Sequence, residues 1–218
     1  MNLEEIRQQY RDKKEVIDDR LEEFSELKDA SDYRLFKELV FVILTSQTSA
    51  KKAWKAAEQL DSRDFLLNGN RASIAEVLHD NEIQYEERKA SYIVENREKL
   101  SQPTLQDPTN ELKLGYMLDD TSPDKTREWM VENLKGVGWK AASHFLRNIG
   151  FGDVAIVSNY IAEDLQQLGL ADSAEIPDSR EKYLRAEEKM RELSEELGIS
   201  VEALDLVLWS METGEVFK

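Results

Sequence analysis

The sequence predicts an all-α protein, and three observations support that fold class. Apolar residues recur at three- and four-residue steps through most of the chain, as on one face of an amphipathic helix. Alternating patterns typical of strands are nearly absent, and the stretch 153–157 is only a weak candidate. The prolines, which break helices, fall between the periodic segments at Pro103, Pro108, Pro123 and Pro177.

Each predicted helix is read from its own run of apolar residues. The first has Leu3, Ile6, Tyr10 and Ile17 on one face. Gly198 follows the predicted helix 180–197, at the position of a helix C-cap. In chain order the predicted helices are 3–24, 36–44, 50–60, 73–78, 85–100, 111–118, 125–134, 139–149, 159–168, 180–197 and 201–211.

The composition excludes several classes of site. The chain of 218 residues contains no cysteine and two histidines, His79 and His144. Disulfides, cysteine nucleophiles, zinc fingers and cysteine-ligated iron–sulfur clusters are therefore excluded, and we expect no metal site. No run of about 18 uncharged apolar residues exists, which predicts no membrane association. The polar N-terminus is unlike a signal peptide, so we expect a cytoplasmic protein.

The charge balance is strongly acidic, with 45 acidic and 29 basic residues and a net charge of −16. One interpretation is a well-solvated surface that resists aggregation. Another is adaptation to a salty cytoplasm. Taken alone, the net charge argues against nucleic acid as a partner.

The distribution of charge changes that impression. Residues 39–57 contain no acid but three lysines, Lys51, Lys52 and Lys55. Residues 134–152 contain no acid but several basic groups, namely Lys135, Lys140, His144 and Arg147. Burial of both helices would explain the missing acids but not the basic residues. The two windows therefore indicate a basic face.

A short glycine turn joins two predicted helices between Leu134 and Ala142, in the sequence LKGVGWKAA. Gly136 and Gly138 permit positive φ and close approach of the backbone. The following helix would expose its first N–H groups, an arrangement suited to a phosphate and independent of base sequence. An ordinary corner between two helices is the plainer interpretation of a G-x-G turn.

The whole pattern around this turn resembles the hairpin of the helix–hairpin–helix DNA glycosylases. The segment 134–151 (LKGVGWKAASHFLRNIGF) is similar to the archaeal-type 8-oxoguanine DNA glycosylase/AP lyase family. Three further segments resemble that family in the same order: 36–54 (FKELVFVILTSQTSAKKAW), 89–97 (KASYIVENR) and 204–218 (LDLVLWSMETGEVFK).

The resemblance implies a catalytic role for Lys140. The matching lysine attacks C1′ of the damaged nucleoside, expels the base and forms a Schiff base that eliminates the 3′ phosphate. A neutral amine is needed, and we expect desolvation in a cleft to lower the pKa of this lysine. Without the resemblance, a lysine that is solvated or contacts phosphate would be the plainer interpretation.

The resemblance also assigns base recognition to four residues. Trp209 would stack on the extruded base, Asp205 would accept hydrogen bonds from its edge, and Lys218 with the terminal carboxylate would contact the purine. Gln47 would contact DNA near the lesion. The plainer alternatives are a core tryptophan, a frayed C-terminus and a helix cap.

Tyr85 matches an aromatic residue that fills the gap left by the extruded base, although Gln84 replaces the arginine that usually precedes it. Together with Lys51, Lys52, Gly136, Gly138 and Arg147, it forms the predicted DNA-binding set.

One position departs from the family pattern. The superfamily carries an aspartate eighteen residues after the lysine, and here that position is Ser158. Serine can cap a helix but cannot balance a developing oxocarbenium ion. A nearby acid, Asp153 or Asp164, could substitute. Otherwise the lyase step could survive with little base excision, or the protein could recognise lesions without cleaving.

The resemblance implies two helical lobes with a cleft between them. We expect a barrel lobe at 31–149 that includes the hairpin, and a second lobe made of 1–30 and 150–218. The expected partner is duplex DNA containing an oxidised purine or an abasic site, bound by a monomer. No organic cofactor is expected, although a monovalent cation could bind the hairpin carbonyls. The alternatives are a non-catalytic DNA-binding module and a helical protein–protein interaction domain.

Overall fold

The computed structural model describes residues 1–118 and 122–218, and these residues are helical with no β-strand. The all-α fold class is therefore confirmed. A short 3-10 helix, Gly115–Met117, precedes the seventh α-helix. The α-helices are α1 (Leu3–Ser25), α2 (Asp32–Leu44), α3 (Ala50–Ser62), α4 (Phe65–Asn68), α5 (Arg71–Asp80), α6 (Glu86–Leu100), α7 (Pro123–Asn133), α8 (Trp139–Asn148), α9 (Asn159–Gln167), α10 (Arg180–Leu197) and α11 (Val201–Thr213).

Short polar side chains begin most of these helices. Each accepts a hydrogen bond from a backbone N–H in the first turn, which satisfies a donor that has no partner within the helix. The capping residues are Asn2, Ser31, Ser49, Asn70, Ser158, Ser179 and Ser200.

The chain divides into two compact units. One comprises Asp29–Phe145, and the other comprises Met1–Lys28 together with Leu146–Lys218. We call them the hairpin unit and the terminal unit. Helix α8 passes from the first unit into the second. The cleft that the resemblance implies stays a prediction.

Helix α2 forms the centre of the hairpin unit. Every residue from Leu39 to Leu44 is buried, which explains a continuous apolar run rather than an amphipathic pattern. Helices α3 and α6 pack against α2, and α5 packs against α6. This arrangement fixes the turn that follows α2.

The helix predicted over 111–118 is wrong, because most of this segment is a loop. Lys113 is buried, and its ammonium donates hydrogen bonds to the carbonyl oxygens of Thr109 at 2.8 Å and Glu111 at 3.0 Å. These side-chain contacts hold the loop in place of a helical hydrogen-bond ladder.

The terminal unit packs α1 against α11, and α9 and α10 also contact α11. The extended stretch 153–157 runs into the N-terminus of α9. Its backbone pairs with side chains instead of a neighbouring strand. The Tyr183 hydroxyl donates to the carbonyl of Ala155 and accepts from the N–H of Val157, and Glu187 accepts from the N–H of Ala155. This pairing positions Ser158 at the start of α9.

Candidate functional site

The hairpin between α7 and α8 depends on the glycine at position 136. Helix α7 ends at Asn133, Leu134 is extended, and Gly136 has a φ of +76°. A Cβ added to Gly136 would lie 2.5 Å from Cδ2 of Tyr92, closer than any real side chain permits. Both the backbone conformation and the neighbouring ring therefore require glycine here.

A buried amide on α6 holds the hairpin in place. The Asn96 side chain donates a hydrogen bond to the carbonyl of Lys135 at 2.9 Å and accepts one from the N–H of Lys135 at 2.7 Å. Asn96 is buried, so these hydrogen bonds satisfy an amide that would otherwise be costly to desolvate. The hairpin backbone is thus held in place by a side chain of the same protein, without any ligand.

The second glycine of the hairpin has no comparable requirement. Among the residues that the structure describes, no atom lies within 4 Å of a Cβ added to Gly138, and this residue is not among those with positive φ. Its carbonyl accepts the hydrogen bond from the N–H of Ala142 that opens α8. The contacts within the chain therefore do not explain a glycine at this position, whereas close approach of a ligand would.

Lys140 lies in the first turn of α8 and is exposed. The desolvation that we expect for this lysine in a cleft stays a prediction. Ser158, Asp205, Trp209 and Lys218 belong to the terminal unit, whereas Lys140 belongs to the hairpin unit.

Only some of the basic side chains in the segment 134–152 are exposed. Lys135 and Lys140 are exposed, but His144 and Arg147 are buried. His144 packs edge to face on Phe41, with ring centroids 5.6 Å apart. The basic face predicted from this window is therefore smaller than the sequence indicated.

Two predicted DNA-facing residues lie on neighbouring loops of the hairpin unit. Gln47 follows α2, Tyr85 precedes α6, and both side chains are exposed. The Tyr85 hydroxyl donates a hydrogen bond to Oε1 of Gln47 at 3.3 Å. The structure therefore brings these two residues together.

The lysines at the start of α3 are exposed, as a DNA-contacting role requires. Lys52 pairs with the carboxylate of Glu82, and this contact lowers the pKa of Glu82. Lys51 is its chain neighbour in the first turn.

Ser158 caps α9, and its hydroxyl oxygen accepts a hydrogen bond from the N–H of Ile161 at 3.3 Å. The cap is present without a carboxylate. Asp153 is paired with Arg191 at 2.8 Å on the preceding segment. Asp164 is buried six residues further along α9, about 9 Å along the helix axis. Neither acid occupies the helix N-terminus that Ser158 caps.

Trp209 on α11 lies beside Tyr160 of α9. Their ring centroids are 5.8 Å apart with an interplanar angle of 70°, an edge-to-face contact. Trp209 is partly exposed and Tyr160 more so. An aromatic surface is therefore available at the residue expected to stack on a base.

Arg147 does not have the DNA-contacting position that we predicted. It is buried, and its guanidinium carbon lies 4.8 Å from the centroid of the Phe24 ring. Its Nη2 atom lies 3.5 Å from Oδ2 of Asp205, which is also buried. Arg147 lies among the buried apolar residues of α8, and the charge of its side chain alone gives no sign of this burial.

The C-terminal segment follows α11, which ends at Thr213 with Gly214 as its cap. Lys218 is the last residue and is partly exposed.

Three residues near the site were missed by the sequence reasoning: Lys89, Asn96 and Tyr160. Lys89 and Asn96 are polar residues that share the buried face of α6 with Ile93 and Leu100. Each lies three or four residues from at least one of these apolar neighbours along the helix, and this spacing could have identified both as buried polar residues.

Within residues 1–118 and 122–218, no group of three or more histidine, aspartate or glutamate side chains could hold a metal ion. In the same part of the chain, every helix is too short or too polar to cross a membrane.

The fold and the hairpin define a helix–hairpin–helix protein of the DNA glycosylase type. A family model described as 8-oxoguanine DNA glycosylase (Ogg-HhH) matches residues 17–199. The chain belongs to this family.

Several named proteins are similar along nearly their whole length. An 8-oxoguanine DNA glycosylase/AP lyase of Korarchaeum cryptofilum is 38% identical, covering 94% of this chain and 91% of that protein. The corresponding protein of Fusobacterium nucleatum is 36% identical, covering 98% and 96%.

Solved structures agree. The 8-oxoguanine DNA glycosylase of Thermotoga maritima matches with a TM-score of 0.87 at 33% identity, covering 99% of this chain and 98% of that one. The Methanocaldococcus jannaschii 8-oxoguanine glycosylase/lyase, in complex with a 15-mer DNA containing 8-oxoguanine, matches with a TM-score of 0.83 at 31% identity. That match covers 97% of this chain and 99% of the other.

Proposed function

We propose that this protein excises 8-oxoguanine from duplex DNA and then cleaves the strand at the resulting abasic site by β-elimination. The observation that carries the proposal is Lys140 in the first turn of α8, directly after a hairpin fixed by Gly136 and Asn96. The names of the relatives support the same activity.

The hairpin would bind the phosphate backbone of the duplex. The N–H groups of the first turn of α8 have no acceptor within the helix, and the helix dipole favours an anion there. The open space beside Gly138 would admit a phosphate at close range. Lys51, Lys52 and Lys135, all exposed, would add contacts that do not depend on base sequence.

Lys140 would supply the nucleophile. Its amine attacks C1′ of the damaged nucleotide as the C1′–N9 bond breaks, and the base leaves with that electron pair and takes up a proton. Opening of the C1′–O4′ bond gives an imine between Nζ and C1′. Loss of a proton from C2′ then expels the 3′ phosphate, and water releases Lys140. Because Lys140 is exposed in the unbound protein, we infer that the docked duplex supplies the desolvation that lowers its pKa.

Trp209 would receive the extruded base by stacking, with Tyr160 as a second aromatic neighbour. Asp205, held beside Arg147, would accept hydrogen bonds from the base edge, and Lys218 would contact the purine from the C-terminus. Stacking and edge contacts must recover the cost of extrusion, about a few kcal/mol.

We propose further that the protein acts as a cytoplasmic monomer on oxidised-purine and abasic duplexes. It would need no organic cofactor, and a monovalent cation could bind the hairpin carbonyls.

Borohydride trapping tests the proposal. Two duplexes are used, one with 8-oxoguanine and one with an abasic site. We expect covalent adducts on both and none with Lys140→Gln. Lys135→Gln is the matched control, since it removes a second exposed lysine of the same hairpin and should keep the adduct. Adducts that persist in Lys140→Gln would refute the assignment of the nucleophile.

A second candidate function is lesion recognition without cleavage, and Ser158 is the observation that favours it. The residue keeps the helix cap but supplies no charge to the cationic transition state. Under this alternative neither duplex is trapped, although both are bound.

Substitution at Ser158 separates the two functions. Ser158→Asp keeps a side-chain cap and adds a carboxylate, whereas Ser158→Asn keeps the cap and adds no charge. If the missing charge limits excision, Ser158→Asp should raise the single-turnover rate by about 10²–10³ while Ser158→Asn leaves it unchanged. Equal rates for the two variants would show that the carboxylate is dispensable here.

A further inference from the structure

Two exposed loops of the hairpin unit hold unfavourable backbone conformations. Gln47 has a φ of 52° and Tyr85 a φ of 58°, in the left-handed region that residues other than glycine rarely adopt. Glu82, in the second loop, has a φ of 56°. Such conformations persist only where the surrounding structure enforces them, and they cluster at functional sites.

Lys89 enforces the first of these loops. It is buried on α6, and its ammonium donates hydrogen bonds to the carbonyl oxygens of Leu44 at 3.0 Å and Ser46 at 2.6 Å. It also donates to Oγ1 of Thr48 at 3.3 Å. That oxygen in turn accepts a hydrogen bond from the N–H of Gln84 at 3.2 Å. One ammonium therefore ties the end of α2 to the turn and, through Thr48, to the second loop.

These contacts fix the relation between the two exposed side chains. Tyr85 follows Gln84 directly, and Gln47 lies between Ser46 and Thr48. The Tyr85 hydroxyl completes the link by donating to the side-chain oxygen of Gln47. We call Gln47 and Tyr85 the exposed pair.

A buried lysine is a costly way to hold a loop. The three acceptors of the Lys89 ammonium are neutral oxygens, and burial lowers the pKa of Lys89 to about 8. An apolar residue would suit the same face of α6 at lower cost. The contacts that Lys89 makes to the turn are what distinguish it from such a residue.

We infer that Lys89 is a positioning residue that sets the exposed pair against the duplex and thereby controls extrusion of the damaged nucleotide. The inference rests on the proposed function. Lys89 touches neither the base nor the sugar in this scheme, and it acts through Gln47 and Tyr85.

The expected effect follows from geometry. Lys89→Met keeps the length of the side chain but leaves the carbonyls of Leu44 and Ser46 without their donor. A displacement of about 1 Å in such a loop can cost about 10²-fold in a step that needs accurate placement. An abasic duplex has no base to extrude, so its reaction with Lys140 should depend much less on the exposed pair.

The test uses the full-length protein and duplexes that carry 2-aminopurine next to 8-oxoguanine. The fluorescence rise on saturation reports extrusion and does not require chemistry. Borohydride trapping on a preformed abasic duplex is the second readout. Lys113→Met is the matched control, because Lys113 is also buried in this unit and donates to two loop carbonyls.

We expect Lys89→Met to reduce extrusion by about tenfold or more while trapping on the abasic duplex changes by less than about threefold. Lys89→Arg should recover most of the extrusion, and Lys113→Met should change neither readout. If Lys89→Met does not fold, Thr48→Val replaces it as the test, because this variant removes only the shared hydroxyl. We expect Thr48→Val to lose part of the extrusion.

Three results would overturn the inference. Lys89→Met could match Lys113→Met in both readouts, or it could lose both in proportion to its unfolded fraction, which thermal unfolding measures. A wild-type protein that extrudes no base would also overturn it. A wild-type protein that extrudes the base but forms no adduct refutes β-elimination instead, and the extrusion readout still decides the role of Lys89.

Discussion

The buried carboxyl of Asp164 should contribute less to the stability of the protein at neutral pH than in mild acid. It lies on α9 at 1% exposure, and its Oδ2 atom has no hydrogen-bond partner within the described residues. Burial, followed by the negative charges of Glu212 and Glu163, raises the pKa of Asp164 from 3.8 to about 6, and the N-terminal ammonium of Met1 opposes this shift.

The sign and size follow from proton linkage. Because the pKa is higher in the folded protein than in the unfolded chain, the folded state binds more protons between these values. The contribution of Asp164 to the free energy of unfolding is fully present below pH 3.8 and is lost as the pH rises through about 6. The whole shift corresponds to about 3 kcal/mol, of which about 1 kcal/mol is lost between about pH 5 and pH 8.

Asp164→Asn removes this charge while keeping the shape of the side chain. The variant buries no charge at this position and feels no charge repulsion from Glu212 and Glu163, so we expect it to be the more stable protein at about pH 8. Its advantage over the wild type in the free energy of unfolding should grow by about 1 kcal/mol between about pH 5 and pH 8.

Urea unfolding at several pH values and constant salt measures this difference. Subtracting the wild type cancels the other titrating groups, and Asp172→Asn, an exposed residue of the same unit, is the control. If the free energy of unfolding of Asp164→Asn, relative to the wild type, stayed constant across this pH range or increased toward acid, the result would refute the argument.

Three further predictions concern the hairpin and the surface. Gly136→Ala should destabilise the protein by about 2 kcal/mol or more because of positive φ and contact with Tyr92, whereas Gly138→Ala should leave the unfolding midpoint unchanged and weaken DNA binding. Glu82→Gln releases Lys52, so binding in a low-salt fluorescence titration should tighten by about threefold, and the gain should fade as salt rises. If the acidic surface reflects a salty cytoplasm, folding and activity should persist at about 1 M salt, where charge repulsion extends only about 3 Å; loss of either there would contradict that interpretation.

The sequence predicted the long helices well because their apolar faces repeat over several turns. The error at 111–118 arose because Lys113 binds carbonyls locally, and hydropathy does not encode such a contact. The four-residue α4 is too short to show a period.

The site was only partly predictable. Lys140 and the hairpin glycines follow from a compact motif. The burial of Arg147 could not be read from its charge, because the Phe24 ring and the Asp205 carboxylate that surround it come from distant parts of the chain. Asn96 was hidden for the same reason, since its partner Lys135 is 39 residues away.

The clamp formed by Asn96 and Tyr92 has a kinetic consequence. If the hairpin binds phosphate as we propose, it already has its binding conformation when the protein folds, so the entropy of ordering its backbone N–H groups is not lost again on association. Encounter with a phosphate backbone then needs no loop closure. Search along undamaged DNA can proceed by rapid binding and release, and the slower steps are left to the damaged nucleotide itself.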